Sequence, residues 1–278
     1  MESGRCIPPI VNVLGVGLRA QRMADAVESV TRWIERRVRT YVCVADVHSV
    51  VRCQDDPALK SLYNDAGMVV TDGMPLVWLA RRAGHEAVER VYGPDLMLEL
   101  CALSVERGWR HAFYGATDEV LAKLRGRLES RFPGLRIVDC QAPPFRPLTE
   151  DEDRAAVERI NAARPDILWV GLGAPKQERW MAGHLGRLDV PVMIGVGAAF
   201  DFHAGTKPQA PRWMQRNGLE WLFRLASEPR RLARRYAVHN TRFLWLIAQQ
   251  QLGLREFPLI DGSRPTVPGP DGPAPKPL

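Results

Sequence analysis

Short apolar runs rich in β-branched residues alternate with longer amphipathic stretches through most of the chain. The runs predict strands at residues 10–16, 41–45, 68–70, 111–114, 135–139, 167–171 and 192–196. The stretches predict helices at residues 22–37, 57–66, 75–82, 94–107, 118–132, 150–163 and 176–188. Strands separated by such helices form βαβ crossovers, and runs that are apolar throughout indicate a sheet covered on both faces. The pattern therefore predicts a Rossmann-like α/β fold, in which helices flank a mostly parallel sheet of undetermined strand order.

The rhythm of strand and helix ends near Phe200. Residues 208–257 predict helices alone, starting near Pro211 and again near Pro229, and from residue 258 onward proline and glycine crowd together. We therefore expect three segments. These are a Rossmann-like catalytic domain at 1–207, a basic helical appendage at 208–257 and a disordered Pro-rich tail at 258–278.

Composition adds two constraints. The chain has 278 residues, of which 46% are apolar, and five cysteines without CxxC spacing, so we expect one large domain with buried reduced thiols. No apolar run approaches the roughly 20 residues that span a bilayer, and the N-terminus lacks a signal-peptide pattern. We therefore expect a cytoplasmic protein that is soluble or lies on a membrane surface.

The net charge of +6 is concentrated near the C-terminus. Residues 207–255 carry ten Lys and Arg side chains against two Glu side chains. Such one-sided charge favours an anionic partner, namely phosphates, acidic lipid or nucleic acid, although a solvated basic helix face fits equally well.

The first candidate for chemistry is Asp72, in the segment TDGMP that follows the predicted strand 68–70. Ligands of open parallel sheets bind outside the carboxyl ends of the strands, so this carboxylate is placed where a base could take a proton from a hydroxyl. The alternative is that Asp72 only caps the next helix.

Two glycine-bearing turns predict a nucleotide site. One is GLGAPKQE at 171–178, where glycines and a helix N-terminus would accept a pyrophosphate, unless it is an ordinary strand-to-helix turn. The other is GVGAAFDFHAG at 195–205, where an aspartate would hold a sugar hydroxyl or cap a turn. The candidate residues in these turns are Gly171, Gly173, Lys176, Gln177, Glu178, Gly195, Gly197 and Asp201. His48, after strand 41–45, is a weaker candidate that we interpret as structural.

Two motifs suggest other functions. Gly15-Val-Gly17-Leu-Arg-Ala20 fits the GxGxxA dinucleotide fingerprint, but no acid follows at about 20 residues, and the helix begins beyond the glycines. Asp151-Glu152-Asp153 spells the DxD of metal-dependent glycosyltransferases, but it follows Thr149 at a helix start, where acids favour the helix dipole. We therefore predict no metal site and no cofactor.

The loops together resemble the WecG/TagA/CpsF family of glycosyltransferases over about residues 10–240. The matching segments are TDGMP at 71–75, ERVYGPD at 89–95, FYGA at 113–116, PDILWVGLGAPKQE at 165–178, residues 195–201 with Gly205, APRW at 210–213, and GLEWLFRLASEPRR at 218–231 with Arg235-Tyr236. The combination of PKQE with GLEWLFRL is highly specific.

The resemblance implies an inverting, metal-independent transfer from a UDP-sugar donor to a polyprenyl-diphosphate-linked saccharide in bacterial cell-wall or exopolysaccharide synthesis. It assigns the general base to Asp72 and part of the donor site to Lys176, Gln177 and Glu178. The resemblance also implies that the diphosphate is bound by Arg224, Arg231, Arg234 and Arg235. The helical appendage would dock on the inner face of the cell membrane and close the pocket, and a homo-oligomer is compatible with all of this.

One departure concerns the sugar. Where family members often have Thr-x-Asn after the second strand, this chain has Val44-Ala45-Asp46, so Asp46 is expected to meet a sugar hydroxyl of the donor. N-acetylmannosamine, its uronic acid and glucose all stay open. Two rival functions are an NAD-dependent oxidoreductase, based on the GxGxxA segment, and a nucleic-acid-binding protein, based on the basic helices. We predict neither, and no nucleic-acid partner.

Overall fold

A computed structural model of the chain describes residues 8–259, except for the side chains of Arg231, Arg234 and Arg235. The strands are β1 (Ile10–Val13), β2 (Val16–Arg19), β3 (Thr40–Ala45), β4 (Met68–Thr71), β5 (Arg110–Gly115), β6 (Arg136–Gln141), β7 (Ile167–Gly171) and β8 (Val192–Gly195). The helices are α1 (Met23–Glu35), α2 (Val47–Asp55), α3 (Pro57–Asp65), α4 (Met74–Arg82), α5 (Gly93–Arg107), α6 (Asp118–Arg131), α7 (Glu150–Ala163), α8 (Lys176–His184), α9 (Ala199–Ala204), α10 (Arg212–Arg216), α11 (Glu220–Ser227) and α12 (Pro229–Gln251).

Six strands form one parallel sheet in the order β4-β3-β8-β7-β5-β6. The helices cover both faces, and the two core clusters take alternate residues of the strands, such as Leu168 and Val170 on one side and Trp169 on the other. The predicted Rossmann-like fold is therefore confirmed. The carboxyl ends of β4, β3, β8 and β7 lie side by side at one edge of the sheet.

The predicted strand at residues 10–16 is wrong. Instead, β1 and β2 form an antiparallel hairpin, separate from the main sheet, with Val13 paired to Val16. The turn residues Leu14 and Gly15 both have positive φ, 54° and 79°. Two such residues match the twist of a two-residue hairpin, so the apolar run folds back on itself instead of continuing as one strand.

The C-terminal helices pack on the body of the protein. The residues of α12 that join the first core cluster are Phe243, Leu246 and Ile247, and α12 lies against α2. Its other face leaves Leu244 and Trp245 exposed. No helix within residues 8–259 is long and apolar enough to cross a membrane. The expected tail at 258–278 lies, beyond its first two residues, outside the described part of the chain.

The four cysteines within residues 8–259 are free thiols, of which Cys140 is only partly buried, and Cys6 lies outside the described part of the chain. Cys43, Cys53 and Cys101 are buried, and burial is the main cause that raises the pKa of each. These thiols are therefore protonated near neutral pH and act as small apolar core side chains.

Candidate active site

A cavity of about 670 Å³ lies at the carboxyl ends of β3 and β4. Its walls come from the starts of α2 and α4 and from α11 and α12, so the C-terminal helices close it. Its charged lining residues include Asp46, Asp72, Arg90, Glu220 and Arg224. Its apolar lining residues include Trp78, Leu79, Phe243 and Ile247. The cavity therefore combines charged and apolar side chains.

Asp72 lies immediately after β4, and its side chain is 23% exposed, toward the cavity. The residue that caps α4 is Gly73, without any side-chain capping hydrogen bond, so Asp72 is not held as a helix cap. Gly73 lies next to Asp46, which follows the neighbouring strand: a Cβ at position 73 would be 3.5 Å from the Cα of Asp46, an ordinary van der Waals distance. The carboxylate is thus left available at the cavity mouth.

Arg90 forms hydrogen bonds with both the backbone and the side chain of Asp72. Its Nε donates to the backbone carbonyl of Asp72, and its Nη2 donates to Asp72 Oδ1 at 3.2 Å and to Glu220 Oε2 at 2.7 Å. The hydroxyl of Tyr92 donates to Glu220 Oε1 at 3.2 Å, and the Arg90 guanidinium lies 3.9 Å above the Tyr92 ring. Arg90, Tyr92 and Glu220 are site residues that our sequence predictions missed. The only signal for the first two was their presence in the segment ERVYGPD.

The electrostatics of this cluster favour a proton acceptor at Asp72. The pKa of Asp72 is raised to about 7. Burial is the largest cause of the rise, the charge of Arg90 opposes it, the charges of Glu220 and Asp46 add to it, and the charge of Arg224 opposes it as well. A carboxylate that titrates near neutral pH can exchange a proton with a hydroxyl efficiently.

Asp46 has a structural task as well as a place in the cavity. Its Oδ1 accepts from the backbone N–H of Ser49 at 2.8 Å, and its own N–H donates to Ser49 Oγ at 2.8 Å, which together cap α2. Val44, two residues earlier, does not line the cavity. It packs within 3.5 Å of the position that a Cβ on Gly93 would take.

The diphosphate candidates are only partly described. Arg224 lines the cavity and makes no side-chain hydrogen bond or ion pair to another residue within 8–259. Arg231, Arg234 and Arg235 lie on α12, but their side chains are outside the described part of the chain. The structure therefore places one predicted cation beside Asp72.

The glycine-bearing turns border a second cavity, of about 610 Å³, at the ends of β7 and β8. Gly171, Gly173, Lys176, Gly197 and Asp201 line it. No side chain caps the start of α8, so its N-terminus is free to face a ligand. The carboxylate of Asp201 accepts from Lys207 Nζ at 2.9 Å and from Thr206 Oγ1 at 3.1 Å, which ties the following loop to this cavity.

Asp72 and these turns lie on the same edge but not in the same cavity. Gly195 is two strands away from β4 and Gly171 is three strands away. At about 4.8 Å per strand, the two separations are about 10 and 14 Å. A ligand that reaches both places must lie along the sheet edge.

Three of the residues predicted to bind the sugar-nucleotide donor are buried. Gln177 is 3% exposed, Glu178 is fully buried and Gly195 is buried in β8. The Nε2 of Gln177 donates to Glu178 Oε1 at 3.0 Å. Neither Gln177 nor Glu178 is among the residues that line the two cavities.

The two competing motifs have other structural roles. Gly15 and Gly17 belong to the hairpin β1–β2 and do not open a helix, so the context of a dinucleotide fingerprint is missing. In the DED segment, Glu152 completes the capping box of α7 with Thr149, and Asp153 pairs with His184 and Arg187. No cluster of three or more metal-ligating side chains occurs within residues 8–259.

Both cavities lie outside the carboxyl ends of the strands, where open parallel sheets bind their ligands. The model of the glycosyl transferase WecG/TagA/CpsF family matches residues 11–256. The chain belongs to this family, and it is a glycosyltransferase.

Curated relatives come from several strains of Staphylococcus aureus. Proteins of strains MW2 and NCTC 8325 / PS 47 are each 27% identical over 226 residues, which covers 81% of this chain and 87% of theirs. The protein of strain MRSA252 is similar to the same degree. Each is named as an N-acetylglucosaminyldiphosphoundecaprenol N-acetyl-beta-D-mannosaminyltransferase.

Proposed function

We propose that this glycosyltransferase moves a sugar from a UDP-sugar to a polyprenyl-diphosphate-linked saccharide, with inversion and without a metal ion. The observation that carries the proposal is the Asp72 carboxylate, which lies in the cavity with a pKa raised to about 7 and with Arg90 fixing its backbone. The acceptor agrees with the names of the S. aureus relatives, which act on an undecaprenyl-diphosphate-linked sugar.

The reaction is a single displacement. The acceptor hydroxyl oxygen forms a bond to the anomeric carbon while the bond from that carbon to the UDP oxygen breaks. The hydroxyl proton passes to Asp72, and UDP departs with the electron pair of the broken bond. One base suffices for such a step, because no covalent enzyme intermediate has to be made.

The donor is proposed to lie along the sheet edge. Its nucleotide occupies the second cavity, where Lys176, Lys207 and the free N-terminus of α8 provide positive potential. Its sugar extends past Gly197 toward Asp46 and Asp72. Charge on the leaving diphosphate is then met by cations and backbone N–H groups. Arg224, which lines the Asp72 cavity, is proposed to bind the diphosphate of the acceptor.

The membrane is proposed as the working surface. Trp213 and Trp245, on α10 and α12, are 60% and 59% exposed, beside a segment rich in arginine. Exposed tryptophans with basic neighbours suit the interface of an anionic bilayer. The apolar side chains of the Asp72 cavity would then lie toward the phase that holds the acceptor lipid. The chain is proposed to act at the inner face of the cell membrane, alone or as a homo-oligomer.

A donor screen tests the function. Purified full-length chain is incubated with an N-acetylglucosaminyl-diphosphate lipid and each of a panel of UDP-sugars, in the presence of EDTA, and UDP release is measured. We expect release with one neutral or acidic hexose donor and none without the acceptor. Absence of release with every donor would contradict the proposed function. Release only after Mg²⁺ or Mn²⁺ is added would contradict metal independence.

A further inference from the structure

The amide of Gln177 is buried beside Gly195 and Gly197. Its Nε2 donates to Glu178 Oε1 at 3.0 Å, whereas its Oε1 is buried and has no hydrogen-bond partner within the described residues. A Cβ on Gly195 would lie 3.0 Å from Nε2, and one on Gly197 would lie 3.6 Å from Oε1. The two glycines thus leave space for this amide, and its free oxygen lies beside the Gly197 turn.

Glu178 needs a reason for its position. It is completely buried, and within residues 8–259 it forms no ion pair with an arginine or lysine. Burial raises its pKa, and hydrogen bonds from its own backbone, the Gln177 amide and Tyr63 counteract the rise. A buried acid without a cation destabilises a fold, so an apolar residue of similar size would serve packing better.

We propose that Glu178 is a positioning residue, which turns the Gln177 amide so that its oxygen accepts a hydrogen bond from an N–H or O–H of the sugar-nucleotide donor. The inference rests on the proposed function and adds to it. Glu178 Oε1 accepts from the amide NH₂, so the NH₂ group of Gln177 faces Glu178 and the oxygen faces the Gly197 turn. In the opposite orientation, an NH₂ group would face that turn and could not accept a hydrogen bond from the sugar-nucleotide donor.

The Gly197 turn explains why the partner is the donor. Gly197 lines the second cavity together with Lys176 and Gly173, the residues proposed to hold the nucleotide. A buried acceptor that is left without a partner costs free energy until a ligand supplies one. The unpaired oxygen would therefore select donors that carry a hydrogen-bond donor at this point.

Two substitutions separate positioning from packing. Glu178→Met keeps the length of the side chain but removes the acceptor, so the Gln177 amide becomes free to rotate. Because Met also removes a buried acid, the variant should be at least as stable as the wild type. Glu178→Gln keeps an oxygen that can accept from Gln177, so it is the matched control.

The experiment measures donor KM, kcat and Tm for the wild type, Glu178→Met, Glu178→Gln, Gln177→Ala and the double variant Gln177→Ala/Glu178→Met. We expect Glu178→Met to raise donor KM about tenfold or more, with acceptor KM and Tm unchanged or Tm raised, and Glu178→Gln to stay near the wild type. In the Gln177→Ala background, Glu178→Met should add nothing, because the two residues act through one hydrogen bond.

Wild-type donor KM in Glu178→Met, or an equal added loss in the Gln177→Ala background, would overturn the proposal. A readout that does not need turnover is the NMR signal of the Gln177 side-chain NH₂, assigned by its loss in Gln177→Ala. We expect slow hydrogen exchange of this group in the wild type and in Glu178→Gln, and fast exchange in Glu178→Met. Equal hydrogen-exchange rates of this NH₂ group in the wild type, Glu178→Gln and Glu178→Met would contradict the positioning role of Glu178, whether or not any UDP-sugar is turned over. Absence of UDP release in the wild type would instead contradict the proposed function.

Discussion

Arg90 donates two hydrogen bonds to Asp72, from its Nε to the backbone carbonyl and from its Nη2 to Oδ1 at 3.2 Å. The same guanidinium binds Glu220 of α11, so one side chain joins the proposed base to the C-terminal helices that close the cavity. The position of the proposed base therefore depends on the position of α11 relative to the sheet.

The first prediction concerns the hydrogen bonds that the Arg90 guanidinium makes to both Asp72 and Glu220. Arg90→Lys keeps the positive charge but cannot make hydrogen bonds to Asp72 and Glu220 at once. We expect kcat to fall about tenfold or more, because the base loses its fixed position, with little change in donor KM. Steady-state kinetics with the best UDP-sugar check this. A wild-type kcat in Arg90→Lys would show that the hydrogen bonds from Arg90 to Asp72 are not required for activity.

The second prediction concerns pH. A base must be ionised, so activity should fall as pH decreases through the pKa of Asp72, which is about 7. The Glu220 charge raises that pKa, so Glu220→Gln should lower it and move the acidic limb of the kcat profile to lower pH. Glu256→Gln, at an exposed position outside the cavity, is the control and should leave the limb in place. A limb that moves upward or stays fixed in Glu220→Gln would contradict this role.

The third prediction concerns the cation in the cavity. Arg224→Ala should raise the KM for the lipid-diphosphate acceptor by about 10- to 100-fold, since hydrogen bonds between charged groups contribute about 1.5–3 kcal/mol. Arg230→Ala removes an exposed arginine near the start of α12 and should change this KM little. Equal effects of the two substitutions would indicate that only the overall charge of the segment matters.

The fourth prediction concerns the membrane surface. The double variant Trp213→Ser/Trp245→Ser should bind anionic vesicles more weakly in a sedimentation assay and keep its activity on a short-chain, water-soluble acceptor. Val38→Ser removes an apolar side chain that is 41% exposed just before the amino end of β3, the opposite end of the sheet from the cavities, and should not alter vesicle binding. Unchanged sedimentation of the double variant would place the membrane contact elsewhere.

The sequence was most informative where a function depends on neighbours in the chain. Asp72 follows an apolar run and precedes Gly73 and Pro75, so its place at the end of a strand could be predicted. Arg90 and Glu220 could not be found in this way, because Arg90 is 18 residues from Asp72 and 130 residues from Glu220 along the chain. Only the folded sheet and the return of α11 bring the three together.

The errors also have local causes. The run at residues 10–16 is apolar enough for a buried strand, but the positive φ of Leu14, a residue that seldom adopts it, turned the run into a hairpin. Gln177 and Glu178 are polar residues beside a glycine-bearing turn, and such a pattern does not reveal that the first turn of α8 points both inward. Burial of polar groups is decided by tertiary packing, which no local pattern encodes.

The most direct test of the account is the rate of transfer by Asp72→Asn. The amide has the shape of the carboxylate but cannot take a proton, so we expect kcat to fall by about 10² to 10⁴, with the circular dichroism spectrum and calorimetric UDP affinity unchanged. Asp189→Asn, which alters an exposed aspartate just before β8, should keep wild-type kcat. A kcat for Asp72→Asn equal to that of the wild type would contradict the central claim that this carboxylate is the base.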